Sequence, residues 1–415
     1  MDESNQSFVR RAVATFRLAR AQEWQRGDVD RLAFYERRKR ARQIVRRTGV
    51  IVVAVVVLVT VAVSVATTQL NTQKTEREFQ PLRTFVEQHR HLRFTRTVPI
   101  HLLTSEQFDA LPVADTSWLL GAMDKIYPVL SPLGIDFGFK DPSGAVVALQ
   151  AHESGIYDPN TKAVYVRGTT LTPFIRRVIV HELTHALDDQ HFDFSDSGAM
   201  DTQAGNALVE GDAVRIERAY VETLPEPQRT LAGAITTRET RLSDIPPALS
   251  QYFAFPYDSG VSFVDALARA GPTEVDRAFM DPPAFVEEVL DPSLYLDQQR
   301  EDALTQEAFD VPTPLPVGSV LIPPSDYVIL GELFLRIWLV PALGEQAASR
   351  VAAHWTGDKT IAWTAENGTS CVRVYMRAGS PTDHRILLDG LKSWAQSRRG
   401  AIVKDGSPIS VLSCS

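Results

Sequence analysis

Cysteine is scarce in this sequence: Cys371 and Cys414 are the two cysteines in a chain of 415 residues. Two thiols cannot build a cysteine-ligated zinc framework or the dense disulfide scaffold of a small secreted domain. Both cysteines lie in runs typical of β-strands, TSCVRVYMR and SPISVLSCS. In an oxidising compartment such a pair favours a disulfide, with two free thiols as the alternative.

The sequence also has no glycine-rich phosphate loop, no internal repeat and no low-complexity tract. Positive charge is concentrated at one end, with a net charge of +7 over residues 1–48 and therefore −15 over the remainder. An acidic main portion disfavours binding to nucleic acid. With 44% apolar and 23% charged residues, the composition is that of a folded protein of one or two domains.

Charged residues are absent from positions 48–73, and positions 50–66 are almost wholly aliphatic. A run of this length reaches the roughly 20 residues that a helix needs to cross a bilayer. A soluble core does not need so long an aliphatic run. The sequence therefore predicts a single transmembrane helix here.

A cluster of Lys and Arg between Arg37 and Arg47 precedes this run, and nothing comparable follows it. The positive-inside rule then predicts a protein of the cell membrane with a cytoplasmic N-terminus and an extracytoplasmic main portion. The alternative is a cleaved signal peptide, because the tripeptide SVA at 64–66 has the small-x-small pattern of a cleavage site. Both interpretations place most of the chain outside the cytoplasm.

The stretch HELTHALDDQH holds three of the nine histidines within a predicted helix. Residues four apart project from the same side of a helix, so His181 and His185 can bind one Zn²⁺ ion together. Glu182 lies beside them and can act as the general base that takes a proton from water. This is the H-E-x-x-H arrangement of zinc metalloproteases. A chance surface match is disfavoured, because these polar residues interrupt an apolar helix and need partners there.

A catalytic zinc ion needs a third protein ligand, and the sequence offers two candidates. Glu210, in a helix predicted over residues 202–222, has apolar neighbours, among which a lone carboxylate needs a positive partner. Gly211 costs that helix about 1 kcal/mol relative to alanine, which is reasonable if another helix approaches closely. The alternative is His191, which stands where metzincins have their third histidine, although Asp188 replaces the glycine of that pattern.

The motif HELTHAL followed by EGDA resembles the gluzincin group of zinc metallopeptidases. Over roughly residues 150–300 the chain resembles poorly characterised, membrane-anchored bacterial members of that group. The resemblance implies that His181, His185 and Glu210 bind one zinc ion per chain. It also implies that Glu182 is the general base.

Two supporting features are implied by the same resemblance. The predicted hairpin GIYDPNTKAVYV would provide, around Val164–Val166, the edge strand along which such enzymes bind an extended substrate. Many gluzincins have a ligand-orienting aspartate three or four residues after the glutamate ligand, whereas Asp212 follows it by only two. Asp188 and Asp189, one turn after His185, are the alternatives. A solvated role fits all three aspartates equally well.

Zincin peptidases also use a Tyr, His or Arg side chain to stabilise the oxyanion of the tetrahedral intermediate. Tyr257, Tyr252 and His152 are candidates for this role, and their spacing does not select one of them. An ordinary exposed position is the alternative for His152.

We therefore expect an α+β protein with a zincin-like metallopeptidase domain, in which a small sheet with an edge strand lies beside the helices of the site. A single transmembrane helix should precede this domain, and a small α+β domain should follow it after the proline-rich run VPTPLPVGSVLIPP. The predicted divisions are a cytoplasmic segment at 1–48, a transmembrane helix at 49–69, a stalk at 70–95, the metallopeptidase domain at 96–310, a linker at 311–324 and the C-terminal domain at 325–415.

The predicted function is zinc-dependent hydrolysis of peptide bonds on the extracytoplasmic side of the membrane. The expected partners are a peptide or protein substrate and the membrane itself, without nucleic acid, and the sequence does not predict an oligomeric state. The alternative is a membrane-tethered scaffold or binding protein that has the zincin fold without peptidase activity.

Overall fold

The structure is a computed structural model, and it describes residues 77–111, 126–138, 153–194, 202–233, 246–297, 316, 318–322 and 328–415. The chain divides into two compact units, Met1–Phe79 and Gln80–Ser415, and the second unit holds every strand that the structure describes. The predicted cytoplasmic segment at 1–48 and transmembrane helix at 49–69 lie outside the described residues. Within the described ranges, no helix has both the length and the apolar character needed to span a bilayer.

The second unit begins with a helix, α1, which covers residues 80–90 of this unit. Val86 on this helix is fully buried, and Arg83 is buried as well, with its Nη2 donating a hydrogen bond to the carbonyl oxygen of Val98 at 2.8 Å. The sequence-based division treats this region as part of a stalk at 70–95. The structure differs from that division, because α1 is packed into the folded unit.

A three-stranded sheet follows, formed by β1 (Ile100–Leu103), β2 (Gly155–Asp158) and β3 (Ala163–Arg167) in the order β1-β3-β2. β2 and β3 are antiparallel and form the predicted hairpin, whereas β1 pairs with β3 in parallel. The expectation that Val164–Val166 form an edge strand is therefore wrong. Those residues lie in the central strand because β1 pairs with them, and β2 is an edge strand of the sheet that the described strands form.

Two long helices, α4 (Pro173–Phe192) and α5 (Gln203–Thr223), carry the candidate site. Separate from them are two shorter helical segments, α2 (Ser105–Asp109) and α3 (residues 126–133). The side chain of Thr172 caps α4 by accepting a hydrogen bond from the backbone N–H of Ile175 at 3.2 Å, and a proline occupies the first turn, as the sequence predicts.

Helix α7 (Pro247–Ala270) packs against α5 at a point where neither helix has a side chain. A Cβ atom added to Gly211 would lie 2.3 Å from the carbonyl carbon and oxygen of Gly260. The expectation that a second helix approaches Gly211 closely is confirmed. Shorter helices accompany this pair: α6 (Glu226–Ala232), α8 (Glu274–Met280), α9 (Val286–Leu290) and α10 (Pro292–Leu296).

The remaining elements are β4 (Val320–Leu321), α11 (Gly331–Leu343), α12 (Glu345–Ala352), β5 (Trp355–Thr364), β6 (Ser370–Ala378), α13 (Pro381–Gln396), β7 (Ile402–Lys404) and β8 (Ile409–Cys414). The five strands form an antiparallel sheet in the order β4-β5-β6-β8-β7. Cys371 of β6 lies opposite Cys414 of β8, and the two form a disulfide.

A hydrophobic core extends from helix α5 to the five-stranded sheet. Leu208 of α5, Phe334 of α11 and Val374 of β6 all belong to it. The sequence-based division at the linker 311–324 therefore does not separate two cores. The described residues of the unit form a helix-rich α+β structure with two small sheets, which confirms the expected structural class.

Candidate metal centre

The motif helix α4 places two imidazole rings side by side. His181 and His185 are one turn apart, and their ring centroids are 4.7 Å apart with nearly perpendicular planes. Their Nε2 atoms are separated by 3.1 Å. Two ring nitrogens held at this separation can both bind the same ion.

Glu210 of α5 completes a triangle of donor atoms. Its Oε2 atom lies 3.1 Å from Nε2 of His181 and 3.6 Å from Nε2 of His185. Two ligands of a tetrahedral zinc ion, each about 2.0–2.1 Å from the metal, are separated by about 3.3 Å. The three distances between the donor atoms, 3.1, 3.1 and 3.6 Å, lie on both sides of this value. His181, His185 and Glu210 could therefore hold a metal ion.

A second carboxylate from α5 orients one of the rings. Nδ1 of His181 lies 3.0 Å from Oε2 of Glu217, and Oε1 of Glu217 lies 3.5 Å from Nε of Arg177. A proton on Nδ1 would leave the Nε2 lone pair of His181 directed at the ion position, as metal-binding histidines require. This role of Glu217 is not among the sequence-based expectations. The sequence signal that could have indicated it is spacing: Glu217 follows Glu210 by seven residues, which is two turns along the same face of the helix.

The predicted general base, Glu182, lies beside strand β2. The backbone N–H of Tyr157 donates a hydrogen bond to its carboxylate. Gly155 leaves room for it, since a Cβ atom there would lie 2.8 Å from Oε1 of Glu182. Burial raises the pKa of Glu182, although the two imidazoles oppose the shift. A carboxylate with a raised pKa is a stronger base, as proton abstraction near neutral pH requires.

Negative charge accumulates around these imidazoles. Burial and the charges of Glu182 and Glu210 raise the pKa of Glu153 to about 8. Although burial alone would lower it, hydrogen bonds to Glu210 and Glu217 hold the pKa of His181 well above its usual value. A proton on the imidazole thus offsets part of the buried carboxylate charge. A bound divalent cation would offset it more completely.

Of the three residues considered for oxyanion stabilisation, Tyr257 lies at the candidate metal centre. Its ring is 6.4 Å from the ring of His181, nearly parallel to it, and its hydroxyl interacts with the carboxylate of Glu210. Desolvation of the phenol and the nearby carboxylates raise the pKa of Tyr257 well above its usual value. The hydroxyl therefore keeps its proton and remains a hydrogen-bond donor at neutral pH.

Tyr252 lies away from the metal centre, so the prediction that it could stabilise the oxyanion is wrong. Its side chain is buried in the hydrophobic core and packs against the rings of Phe137 and Phe334. Its carbonyl accepts a hydrogen bond from Nε2 of Gln203, and Pro256, four residues later, has no N–H to donate to it. The third candidate, His152, lies outside the described residues.

His191, the alternative third ligand, is exposed at the end of α4. Its Nε2 donates a hydrogen bond to the carbonyl oxygen of Arg93 at 2.8 Å. It is not part of the cluster of donor atoms formed by His181, His185 and Glu210. The geometry therefore favours Glu210 over His191 as the third ligand.

Two of the aspartates considered for orienting a histidine are bound to an arginine instead. Oδ1 of Asp188 lies 2.8 Å from Nε of Arg90, and Oδ2 of Asp212 lies 2.5 Å from the same atom. Asp212 is two residues after Glu210 and therefore projects from nearly the opposite side of α5. Burial and the Asp212 charge raise the pKa of Asp188 well above its usual value, although Arg90 opposes the shift.

Asp189 joins the motif helix to the β2-β3 hairpin rather than to a histidine. Its Oδ2 accepts hydrogen bonds from the hydroxyl of Tyr157 at 2.6 Å and from Nζ of Lys162 at 2.7 Å. Its Oδ1 accepts one from the backbone N–H of Phe194 at 3.1 Å. The three aspartates are thus buried, and a solvated role does not apply to them.

No protein-family model matches this chain, and no curated protein or solved structure is significantly similar to it. The likeness to gluzincins thus stays a resemblance carried by the sequence motif. The interpretation of the centre depends on its own geometry and chemistry.

Proposed function

We propose that this protein is a zinc-dependent peptidase with a zincin-like fold. The observation that carries the proposal is the triangle of His181, His185 and Glu210, with the buried carboxylate of Glu182 directly beside it. Two imidazoles and one carboxylate are the ligand set of many catalytic zinc sites, which keep a further position open for water or substrate. The excess of carboxylates around the imidazoles supports a cation at this position.

A zinc ion bound there would polarise a peptide carbonyl and lower the pKa of water. Glu182 accepts the proton of the attacking water on its carboxylate and later transfers it to the leaving amine. The hydroxyl of Tyr257 donates a hydrogen bond to the oxygen of the scissile carbonyl as negative charge develops on it. Glu217 keeps the proton of His181 on Nδ1 throughout.

Strand β2 provides a surface for an extended substrate. It is an edge strand of the sheet formed by the described strands, and one of its backbone N–H groups already contacts the proposed base. An extended peptide can pair with such an edge through main-chain hydrogen bonds. A scissile bond would thereby lie near Glu182.

From the sequence alone, the proposal extends to location. The chain would cross the cell membrane once through residues 49–69, with 1–48 in the cytoplasm and the metal centre on the extracytoplasmic side. The peptide or protein substrate would accordingly be extracytoplasmic.

The experiment uses the full-length chain and its Glu182→Gln variant. Elemental analysis should find one zinc per chain in both proteins. The unmodified protein should cleave a panel of denatured proteins, lose activity with a chelator and regain it with zinc. The variant should cleave at least about 100-fold more slowly, because it lacks the base. Equal cleavage by the variant would refute the assignment of Glu182, and a lack of chelator-sensitive cleavage would favour the scaffold alternative.

A further inference from the structure

Arg90, the last residue of helix α1, is one of the most enclosed charged groups in the described part of the chain. Its side chain is 3% exposed, and its guanidinium carbon lies 5.6 and 5.4 Å from the ring centroids of Phe192 and Phe279, which stack on each other. Contacts of this kind between a cation and aromatic rings are favourable. Nothing in the proposed peptide hydrolysis uses this residue directly.

The guanidinium bridges three helices through carboxylates. Its Nε lies 2.8 Å from Oδ1 of Asp188 on α4 and 2.5 Å from Oδ2 of Asp212 on α5, and its Nη1 lies 2.5 Å from Oδ1 of Asp276 on α8. The contacts to Asp188 and Asp212 are close ion pairs without hydrogen-bond geometry, whereas Nη1 donates a hydrogen bond to Asp276. Arg90 therefore fixes α4 relative to α5 at one point between them.

These are the two helices that carry the candidate metal ligands. Asp188 is three residues after His185, and Asp212 is two residues after Glu210. The contact point is thus within one helical turn of a ligand on each helix. A shift of one helix against the other there would change the distances from Glu210 to the imidazoles, which are 3.1 and 3.6 Å.

We propose that Arg90 is a positioning residue for the metal centre, whose guanidinium sets the distance between the ligand pair on α4 and the ligand on α5 by bridging Asp188 and Asp212. This inference depends on the metal site of the proposed function but not on peptide cleavage. Without the guanidinium, the buried pair of Asp188 and Asp212 loses the cation that ties α4 to α5, and the helices can shift where the ligand triangle needs them close.

A matched control is available on the same helix. Arg83 precedes Arg90 by two turns and is also buried, at 5% exposed against 4%, and its Nη2 donates to the carbonyl oxygen of Val98. Replacing Arg83 with methionine removes a comparable guanidinium without removing the Asp188–Asp212 bridge. A general loss of packing should affect both arginine variants, whereas a positioning role concerns Arg90 alone.

The test compares the full-length chain with its Arg90→Met, Arg90→Lys and Arg83→Met variants, all freed of metal and titrated with Zn²⁺ and with Co²⁺. Zinc affinity is measured by competition with a chromophoric chelator. The visible absorption of bound Co²⁺ reports the coordination geometry. Thermal unfolding of each metal-free protein reports its stability.

We expect Arg90→Met to bind zinc roughly 10- to 100-fold more weakly than the unmodified protein, with weaker and shifted cobalt absorption. Arg83→Met should lose thermal stability while its zinc affinity stays within about two-fold. Lysine keeps the charge but cannot bridge three carboxylates, so Arg90→Lys should recover the affinity only in part.

Unchanged affinity and spectrum in a folded Arg90→Met protein would overturn the inference, as would an equal loss of affinity in Arg83→Met. If Arg90→Met does not fold, Arg90→Lys provides the test. An unaltered cobalt spectrum and zinc affinity in Arg90→Lys would then overturn the inference. Failure to bind metal in the unmodified protein would refute both this inference and the proposed function. Normal metal binding without peptide cleavage would refute the peptidase proposal alone.

Discussion

Gly211 and Gly260 bring two helices into direct backbone contact beside the metal centre. A Cβ atom on Gly260 would lie 2.1 Å from the carbonyl oxygen of Ala207, and one on Gly211 would meet the backbone of Gly260 at 2.3 Å. Each glycine neighbours a functional group, since Gly211 follows Glu210 and Gly260 is one turn after Tyr257. The close crossing is what places the phenol against the carboxylate.

The first prediction concerns this crossing. In Gly211→Ala the new methyl group meets backbone atoms, so α5 and α7 must separate, and we expect a loss of about 1–3 kcal/mol in the free energy of unfolding. Tyr257 should move away from Glu210, lowering kcat for peptide cleavage. Gly233→Ala is the control, because its nearest neighbour, the carbonyl oxygen of Arg229, is 3.6 Å away. Denaturant unfolding and peptide kinetics measure both effects, and equal stability of the two variants would contradict the prediction.

The second prediction separates the two candidates for the third ligand. Glu210→Ala should lose zinc during dialysis, because only the two imidazoles remain. His191→Ala should keep one zinc per chain, since the ring of His191 contacts the carbonyl of Arg93 rather than the donor triangle. Elemental analysis of both dialysed proteins measures the difference. Zinc retained in Glu210→Ala and lost in His191→Ala would reverse the assignment.

The third prediction concerns Glu217, which contacts Nδ1 of His181 at 3.0 Å. Glu217→Ala should weaken zinc binding roughly 10- to 100-fold, because the ring loses the partner that fixes its proton and orientation. Glu217→Gln keeps an acceptor oxygen and should lose less. Glu222→Ala, an exposed change on the same helix, is the control and should bind zinc normally. Zinc competition titrations provide the comparison, and an effect of equal size at Glu222 would exclude a specific role.

The fourth prediction is a pH dependence of stability that arises away from the metal centre. Asp358 is 1% exposed, and its carboxylate accepts hydrogen bonds from the backbone N–H groups of Leu330 and Gly331 and from Nε1 of Trp355. Burial raises the pKa of Asp358 from 3.8 to about 6, even though these hydrogen bonds oppose the shift. The folded state therefore binds this proton more tightly than the unfolded state does.

For a carboxyl group whose pKa is raised on folding, stability is highest when the group is protonated. The contribution of Asp358 should thus fall as the pH rises from about 4 to about 6 and stay constant above that, with a total change of about 3 kcal/mol. Urea unfolding of the unmodified protein and of Asp358→Asn across this range measures the difference. A constant difference between the two proteins from pH 4 to pH 7 would show that Asp358 titrates normally.

The parts of the site that could be predicted from the sequence are those set by local geometry. The spacing of His181 and His185 requires only a helix, and the unusual Gly211 indicated the close approach of another helix. Glu210 was favoured because a carboxylate among apolar neighbours needs a cation. Each of these inferences uses residues within a few turns of one another, over which helix geometry is known.

The parts that could not be predicted depend on contacts between distant segments. Arg90 meets Asp276 across 186 residues, and no local pattern indicates that pairing. The aspartates assigned to the histidines were available to Arg90 because helix α1 is folded into the unit, whereas its polar sequence is typical of a stalk. Likewise, the position of β3 within its sheet depends on a parallel partner from far earlier in the chain.

The location of Arg90 has a practical consequence for anyone who shortens the chain for crystallisation. A fragment that starts at residue 96, the predicted beginning of the catalytic domain, would lack the guanidinium that bridges α4 and α5. Asp188 and Asp212 would then lack the cation that joins their helices, and the purified fragment would be poorly suited to metal assays. A fragment that starts at or before Gln80 would keep α1 and with it the intact centre.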